Sequence, residues 1–265
     1  MTFSWLDNQV SAELLELAES VAKATGSLLM NRPDTFTLTE KSSAVDFATQ
    51  MDQQAEKMIV EKLLAARPDD GIVAEEGSAR ESKSGITWVI DPIDGTVNYL
   101  YDLPGWCISI AAKNKEEFIA GVVYSPTTNS LWKASKSNGA FLNNLPIKCN
   151  NPVSLDRALV GTGFAYDINN RKVQAKIIEE LLPKVRDLRR LGACAVDICH
   201  VGSGSLDAYF EEGVNEWDYA AASLIAQEAG ATFSVTKARD GSSRSSVIVA
   251  GPFLHAALSA QIQGR

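Results

Sequence analysis

Residues 88–96 read Trp88-Val89-Ile90-Asp91-Pro92-Ile93-Asp94-Gly95-Thr96. The apolar run Trp88–Ile90 predicts a buried strand that ends abruptly in Asp91. Pro92 has no N–H to donate, so the sheet ladder is expected to stop there. Asp94 follows three residues after Asp91, and Gly95-Thr96 open the next segment. The reading is strand, tight turn, helix start, with two carboxylates and several free backbone N–H groups converging at the strand end. Carboxylates suit a hard cation such as Mg²⁺, and the N–H groups suit a phosphate oxygen.

Outward from this segment, helical spacing of apolar residues covers Ser11–Met30 and Asp46–Ala66, and Thr35–Thr39 alternates as an extended arm. Ile72–Ala74 is a short strand running into Glu75-Glu76, and 79–85 reads as a polar surface loop. Strand signals follow at Ile86–Ile90, Cys107–Ala112, Phe118–Tyr124 and Ser130–Ala134. They succeed one another directly, which predicts a mainly antiparallel first sheet. After Asn150-Asn151-Pro152, strands and helices alternate to the end of the chain, which predicts a second, mixed sheet in a layered α/β half. The expected halves are residues 1–150 and 151–265, joined as one compact functional unit.

With 265 residues and a net charge of −8, the chain can bury a large core and shows no basic footprint for nucleic acid. An acidic protein that handles an anionic phosphate needs cations to bridge the two. Cys107, Cys149, Cys194 and Cys199 form no C-x-x-C pair, and only two histidines occur, so a zinc site is not expected. Cys194 and Cys199 read as buried free thiols. The N-terminus, Met1 to Asp7, lacks the pattern of a leader, and no apolar run approaches the roughly 20 residues of a membrane span. The expectation is a cytoplasmic protein.

Acidic residues recur at element ends: Glu75-Glu76, Asp91, Asp94 and Asp218, with Asp52 inside the second helix. Any one of them could be a solvated charge or a helix cap. As a set, Glu75-Glu76, Asp91-Pro-Ile-Asp94-Gly-Thr96 and Trp217-Asp218 resemble the inositol monophosphatase family in identity, order and approximate spacing. The resemblance extends from Glu40-Lys41-Ser42-Ser43 through Arg190-Leu191-Gly192-Ala193 and Asp207-Ala208-Tyr209-Phe210-Glu211.

The resemblance implies an α-β-α-β-α sandwich, a homodimer and inhibition by Li⁺. It implies that Glu75, Asp91 and the Ile93 carbonyl hold a first Mg²⁺ and that Asp91, Asp94 and Asp218 hold a second. A third, weaker ion would lie near Glu75. Thr96 and Asp52 would take the proton of an attacking water, and Gly95 and Thr96 N–H groups would hold phosphate. Lys41 matches a lysine near the metals. Glu211, Gly192 and Ala193 match the substrate pocket.

The implied reaction is hydrolysis of a small phosphate monoester of a polyol or amino alcohol, inositol 1-phosphate first and histidinol phosphate second. Fructose 1,6-bisphosphate, 3′-phosphoadenosine 5′-phosphate and a non-catalytic regulatory role complete the alternatives. This chain departs from common family patterns at Ala165, where Pro is frequent, at Ala193, where Ser or Thr is frequent, and at Ala222, where Gly is frequent. No departure removes an implied metal ligand. The haloacid dehalogenase motif, with one residue between its aspartates, fits less well, because two residues separate Asp91 from Asp94.

Overall fold

A computed structural model describes residues 5–43, 46–239 and 242–263. The reading of Met1–Ser4 as free of a leader lies outside them. Among the described residues there are seven α-helices: α1 (Trp5–Met30), α2 (Gln50–Ala66), α3 (Thr96–Leu100), α4 (Ile168–Leu181), α5 (Cys194–Gly202), α6 (Glu216–Glu228) and α7 (Pro252–Gln263). The strands of the first half are β1 (Leu38–Ser43), β2 (Asp46–Thr49), β3 (Gly71–Ala74), β4 (Ala79–Arg80), β5 (Thr87–Asp94), β6 (Cys107–Lys113), β7 (Phe118–Ser125), β8 (Ser130–Ser135), β9 (Ala140–Leu142) and β10 (Leu145–Pro146). Those of the second half are β11 (Leu159–Thr162), β12 (Asp187–Arg189), β13 (Ala208–Val214), β14 (Thr232–Lys237) and β15 (Ser245–Ala250).

An eight-stranded sheet runs β10-β9-β8-β7-β6-β5-β3-β4, and a five-stranded sheet runs β12-β11-β13-β15-β14. The first is antiparallel except for the β3–β5 pair. The second is mixed, with β11 parallel to β12 and β13. Alternation along each strand sorts the layers, because successive side chains leave a strand on opposite faces. Trp88, Ile90, Ile110 and Val122 pack with Leu14, Ala18 and Ile59 of α1 and α2. Val89, Ala111 and Val123 pack with α5 and α6, which meet Tyr209, Val247 and Val249 of the second sheet on their other side. Ala208, Phe210 and Ile248 pack outward against α4 and α7. The order is therefore α-β-α-β-α, as the family resemblance implied.

Small residues let the central layer close. A Cβ on Gly121 of β7 would lie 2.9 Å from the Ala221 carbonyl oxygen of α6, so the Ala220–Ala222 stretch of that helix sits directly on the strand.

Four local expectations are corrected. The strand at Pro92 does not stop: β5 continues to Asp94, because a bulge between Asp91 and Asp94 absorbs the proline. Asp91 faces Ser109 and Asp94 faces Cys107, three steps on one strand against two on the other. The second helix starts at Gln50 and not at Asp46. Thr49 accepts a hydrogen bond from Met51 N, and Asp52 accepts one from Thr49 N, a capping box that leaves 46–49 free to pair with β1. The arm placed at Thr35–Thr39 is a strand shifted to Leu38–Ser43, and the polar 79–85 segment contributes the short strand β4.

Candidate active site

The β3–β5 pairing builds the first half of the site. Ala74 lies opposite Ile90 in parallel register, so Glu75 emerges beside Asp91 although the two are far apart in sequence. Glu75 N donates to the Ile90 carbonyl at 3.2 Å, which fixes that alignment to the last residue. From below, the buried Glu56 of α2 accepts from Glu76 N at 2.7 Å and Ser78 N at 2.9 Å, pinning the turn that carries Glu75. Lys41 on β1 bonds Glu75 at 2.9 Å and Glu76 at 2.5 Å. Burial draws the Lys41 pKa down, but the two carboxylates outweigh it and hold the ammonium charged above its ordinary value.

Asp91 shares the face of Val89, toward α5 and α6, and is 2% exposed. Its Oδ1 accepts from Ile93 N at 3.0 Å across the bulge. Asp94 is the N-terminal cap of α5 in all but sequence. Its two oxygens accept from Cys194 N at 3.1 Å and Ala195 N at 2.6 Å, orphan donors that Ala193 has no side-chain oxygen to satisfy. The departure at Ala193 is thus met by a carboxylate from the other half of the chain. Asp218 occupies the third position of α6 and accepts from Asn215 N at 2.7 Å, a second capping box. Lys113 on β6 grips Glu216 at 2.6 Å and anchors the start of that helix against the sheet.

These elements close a cleft with a cavity volume of about 140 Å³. Glu75, Asp91, Ile93, Asp94, Gly95, Thr96, Gly192, Ala193, Glu211 and Asp218 all line it, so ten of the residues singled out from sequence come together. The other two stand just behind the wall: Lys41 through Glu75, and Asp52 through Thr96. Thr96 Oγ lies 3.1 Å from Asp52 Oδ1 and 3.1 Å from the Ile93 carbonyl oxygen. Asp52 is fully buried, and its other oxygen accepts from Thr49 Oγ1 at 2.6 Å. Gly95, at φ 89°, begins α3 in the left-handed region, and a Cβ there would press on the Gly192 carbonyl oxygen and the Ala193 Cβ at 3.1 Å. Asn98 holds that second loop in place through the Leu191 carbonyl at 2.8 Å.

Crowded carboxylates in a poorly solvated cleft favour protonation. Burial, then repulsion from Glu75, Asp94 and Asp218, holds the Asp91 pKa well above the usual carboxylate range. Burial pushes Asp94 up to about 7 and Asp52 to about 6, with backbone or hydroxyl donors restraining each. Asp218 is raised by burial and by Glu75. The donor set is carboxylate oxygen and backbone carbonyl, which fits hard divalent cations. Among the described residues, no three acidic, His or Cys side chains close into a finished metal cage. Instead, each carboxylate is tethered by its own backbone donor or by Lys41, with its charge still turned toward the shared cleft.

On the opposite wall, Tyr209 donates a short hydrogen bond to Glu211, and burial raises the Glu211 pKa against the pull of Tyr209 and Arg190. Tyr209 and Glu211 share the inward face of β13. Asp46, Asp197, Tyr166 and Arg244 also line the cleft and were not singled out from sequence. Asp197 is 1% exposed and sits in an apolar helical stretch, where only its burial marks it. Cys107, Cys149, Cys194 and Cys199 are buried and free, as expected for Cys194 and Cys199.

A layered α/β sandwich with an acidic cleft between its two sheets, at strand ends and helix N-termini, defines the architecture of a phosphatase class. The chain belongs to the inositol monophosphatase family, whose model matches residues 11–264. It is 38% identical over 232 residues to inositol-1-monophosphatase SuhB of Mycobacterium tuberculosis, covering 84% of this chain and 80% of that protein. It is 40% identical over 213 residues to Nus factor SuhB of Xylella fastidiosa, covering 79% of this chain and 77% of the relative. The crystal structure of extragenic suppressor protein suhB from Bartonella henselae superposes with a TM-score of 0.88 at 26% identity, covering 95% of this chain and 98% of that one. Among the described residues, no helix is long and apolar enough to cross a membrane.

Proposed function

We propose that the cleft hydrolyses a small phosphate monoester with Mg²⁺, inositol 1-phosphate being the leading substrate. The observation that carries this reading is the convergence of Glu75, Asp91, Asp94 and Asp218 on one cleft beside the Asp52–Thr96 pair. Glu75, Asp91 and the Ile93 carbonyl would hold one Mg²⁺, and Asp91, Asp94 and Asp218 a second. When bound, these cations neutralise the carboxylates, lower the pKa of water and stabilise charge on the leaving oxygen.

The chain's own groups supply the rest. Thr96 Oγ takes the proton of the attacking water and passes its own to Asp52 Oδ1, 3.1 Å away. Asp52, raised to about 6 by burial, is poised as a base near neutral pH. Thr49, bonded to its other oxygen, keeps the carboxylate aimed at Thr96. The N–H groups of Gly95 and Thr96 receive phosphate oxygens at the start of α3. Lys41 balances the charge of Glu75 and Glu76. Glu211 and the Gly192–Ala193 loop face the alcohol.

Phosphate release from inositol 1-phosphate, histidinol phosphate and fructose 1,6-bisphosphate at millimolar Mg²⁺ tests the reading, with inositol 1-phosphate turned over best. No release from any phosphomonoester would overturn it. The relatives named Nus factor support a second reading, a regulatory binding role for residues 1–150 and 151–265 acting as one unit. Homodimer formation and Li⁺ inhibition belong to the same proposal and are tested by sedimentation and by the release assay.

A further inference from the structure

The wall that faces the alcohol is held by a residue outside the cleft. Loop 163–166 follows β11, and Glu211 lies mid-strand in its parallel neighbour β13, one residue past the last β11 pair, Thr162 opposite Phe210. The two are in contact: a Cβ on Gly163 would fall 2.2 Å from the Glu211 carboxyl carbon. Behind them stands Gln174 of α4, 5% exposed. Its Oε1 accepts from Ala165 N at 3.0 Å, and its Nε2 donates to the Glu212 carbonyl at 3.1 Å. Arg171, one turn earlier, donates Nε to the Ala165 carbonyl at 2.7 Å. Both backbone polar groups of Ala165 are therefore taken by α4, and the same Gln174 amide reaches the strand residue next to Glu211.

Position 165 is one where this chain departs from the frequent proline. The Gln174–Ala165 bond uses the backbone N–H, which any residue but proline supplies at this position. We propose that Gln174 is a positioning residue that locks loop 163–166 to β13 at Glu211–Glu212 and so sets which polyhydroxylated alcohol the cleft accepts. This rests on the hydrolase reading above. Gln174 touches no reacting atom. Its effect passes through Phe164–Tyr166 on one side and Glu211 on the other, which line the cleft.

Three variants separate the contacts. Gln174→Leu removes both bonds at similar volume. Gln174→Glu keeps the acceptor for Ala165 N and loses the donor to Glu212. Ala165→Pro removes the N–H that Gln174 receives and fixes φ at that position. In Gln174→Leu, amide exchange at Ala165 should rise roughly tenfold, the scale of one lost hydrogen bond, and in Gln174→Glu it should stay near wild type. With inositol 1-phosphate, KM should rise roughly tenfold in Gln174→Leu and Ala165→Pro, at unchanged kcat. Hydrolysis of p-nitrophenyl phosphate, whose alcohol offers no hydroxyls to the wall, should be unaffected in Gln174→Leu.

Unchanged amide exchange in Gln174→Leu, or equal losses on both esters, would overturn the proposal. Wild-type protein that cleaves neither ester would remove the hydrolase reading and the specificity role together. Wild-type turnover with indifferent variants would remove the specificity role alone.

Discussion

At the scale of single residues, Asp91 is the most exposed to test. It sits between Glu75, Asp94 and Asp218, and its pKa is raised by burial and by all three. Asp91→Asn should lower phosphate release at least about 10²-fold, the scale of removing one electrostatic group from such a site. Its folded circular-dichroism spectrum should survive, and normal turnover would rule out the metal assignment. Thr96→Val keeps the shape and removes the hydroxyl that donates to Asp52, the proton relay proposed above. Its kcat should fall about 10²- to 10⁴-fold, the range for a lost proton relay, while inhibition by inorganic phosphate is little changed. The pair was readable from sequence only through the family pattern, because Asp52 alone looks like a solvated helical acid. What sequence hid was the reason it is buried: the Thr49–Asp52 capping box turns the carboxylate inward.

At the scale of elements, alternation and helical spacing located the long helices and the central strands of both sheets, since burial on one face writes directly into period. The misplacements have local causes. Pro92 lies within a bulge that propensity does not anticipate, and Thr49 starts α2 later than its apolar spacing does. Asp197 and Arg244 escaped notice because nothing in their neighbourhoods signals a cleft until two sheets face each other. The closeness of α6 to β7 gives an element-scale prediction. Gly121→Ala places a methyl 2.9 Å from the Ala221 backbone and should cost about 1–3 kcal/mol in urea denaturation, as overpacking does. An unaltered midpoint would show that α6 can shift freely on the sheet. In α5, the His200 ring stands edge-on to Trp132, and its Nδ1 is buried without a hydrogen-bond partner. Burial holds its pKa below the ordinary 6.5, so as pH falls the unfolded chain takes up that proton first. This contribution to stability is complete above about pH 6.5 and shrinks below it. The urea midpoint of wild type should therefore drop more between pH 7.5 and 5.5 than that of His200→Gln. Parallel slopes would contradict this.

At the scale of the whole molecule, acidic groups from β3, β5 and α6 meet in the cleft, and they are mutually repulsive without cations. Cation binding to the folded chain alone should therefore raise Tm with Mg²⁺ concentration. The gain should be about 2.7 kcal/mol when free Mg²⁺ is about 100-fold above its dissociation constant. Differential scanning fluorimetry checks it, with Ca²⁺ and Na⁺ as comparisons and Asp91→Asn as the variant in which the shift collapses. A Tm indifferent to Mg²⁺ would separate the cleft from divalent cations altogether.

The parallel β3–β5 pair has one more consequence. Side chains on a strand alternate, so a slip of β3 by one residue would bring Ala74 or Glu76 beside Asp91 in place of Glu75. Gly71 guards against this at the strand start, where an added Cβ would fall 2.8 Å from Thr87 Oγ1. The acidic cleft is in this sense a vernier for the sheet. On the proposed Mg²⁺ reading, the affinity of the cleft for a cation should report, in solution, whether two strands of the first half have zipped in the right alignment.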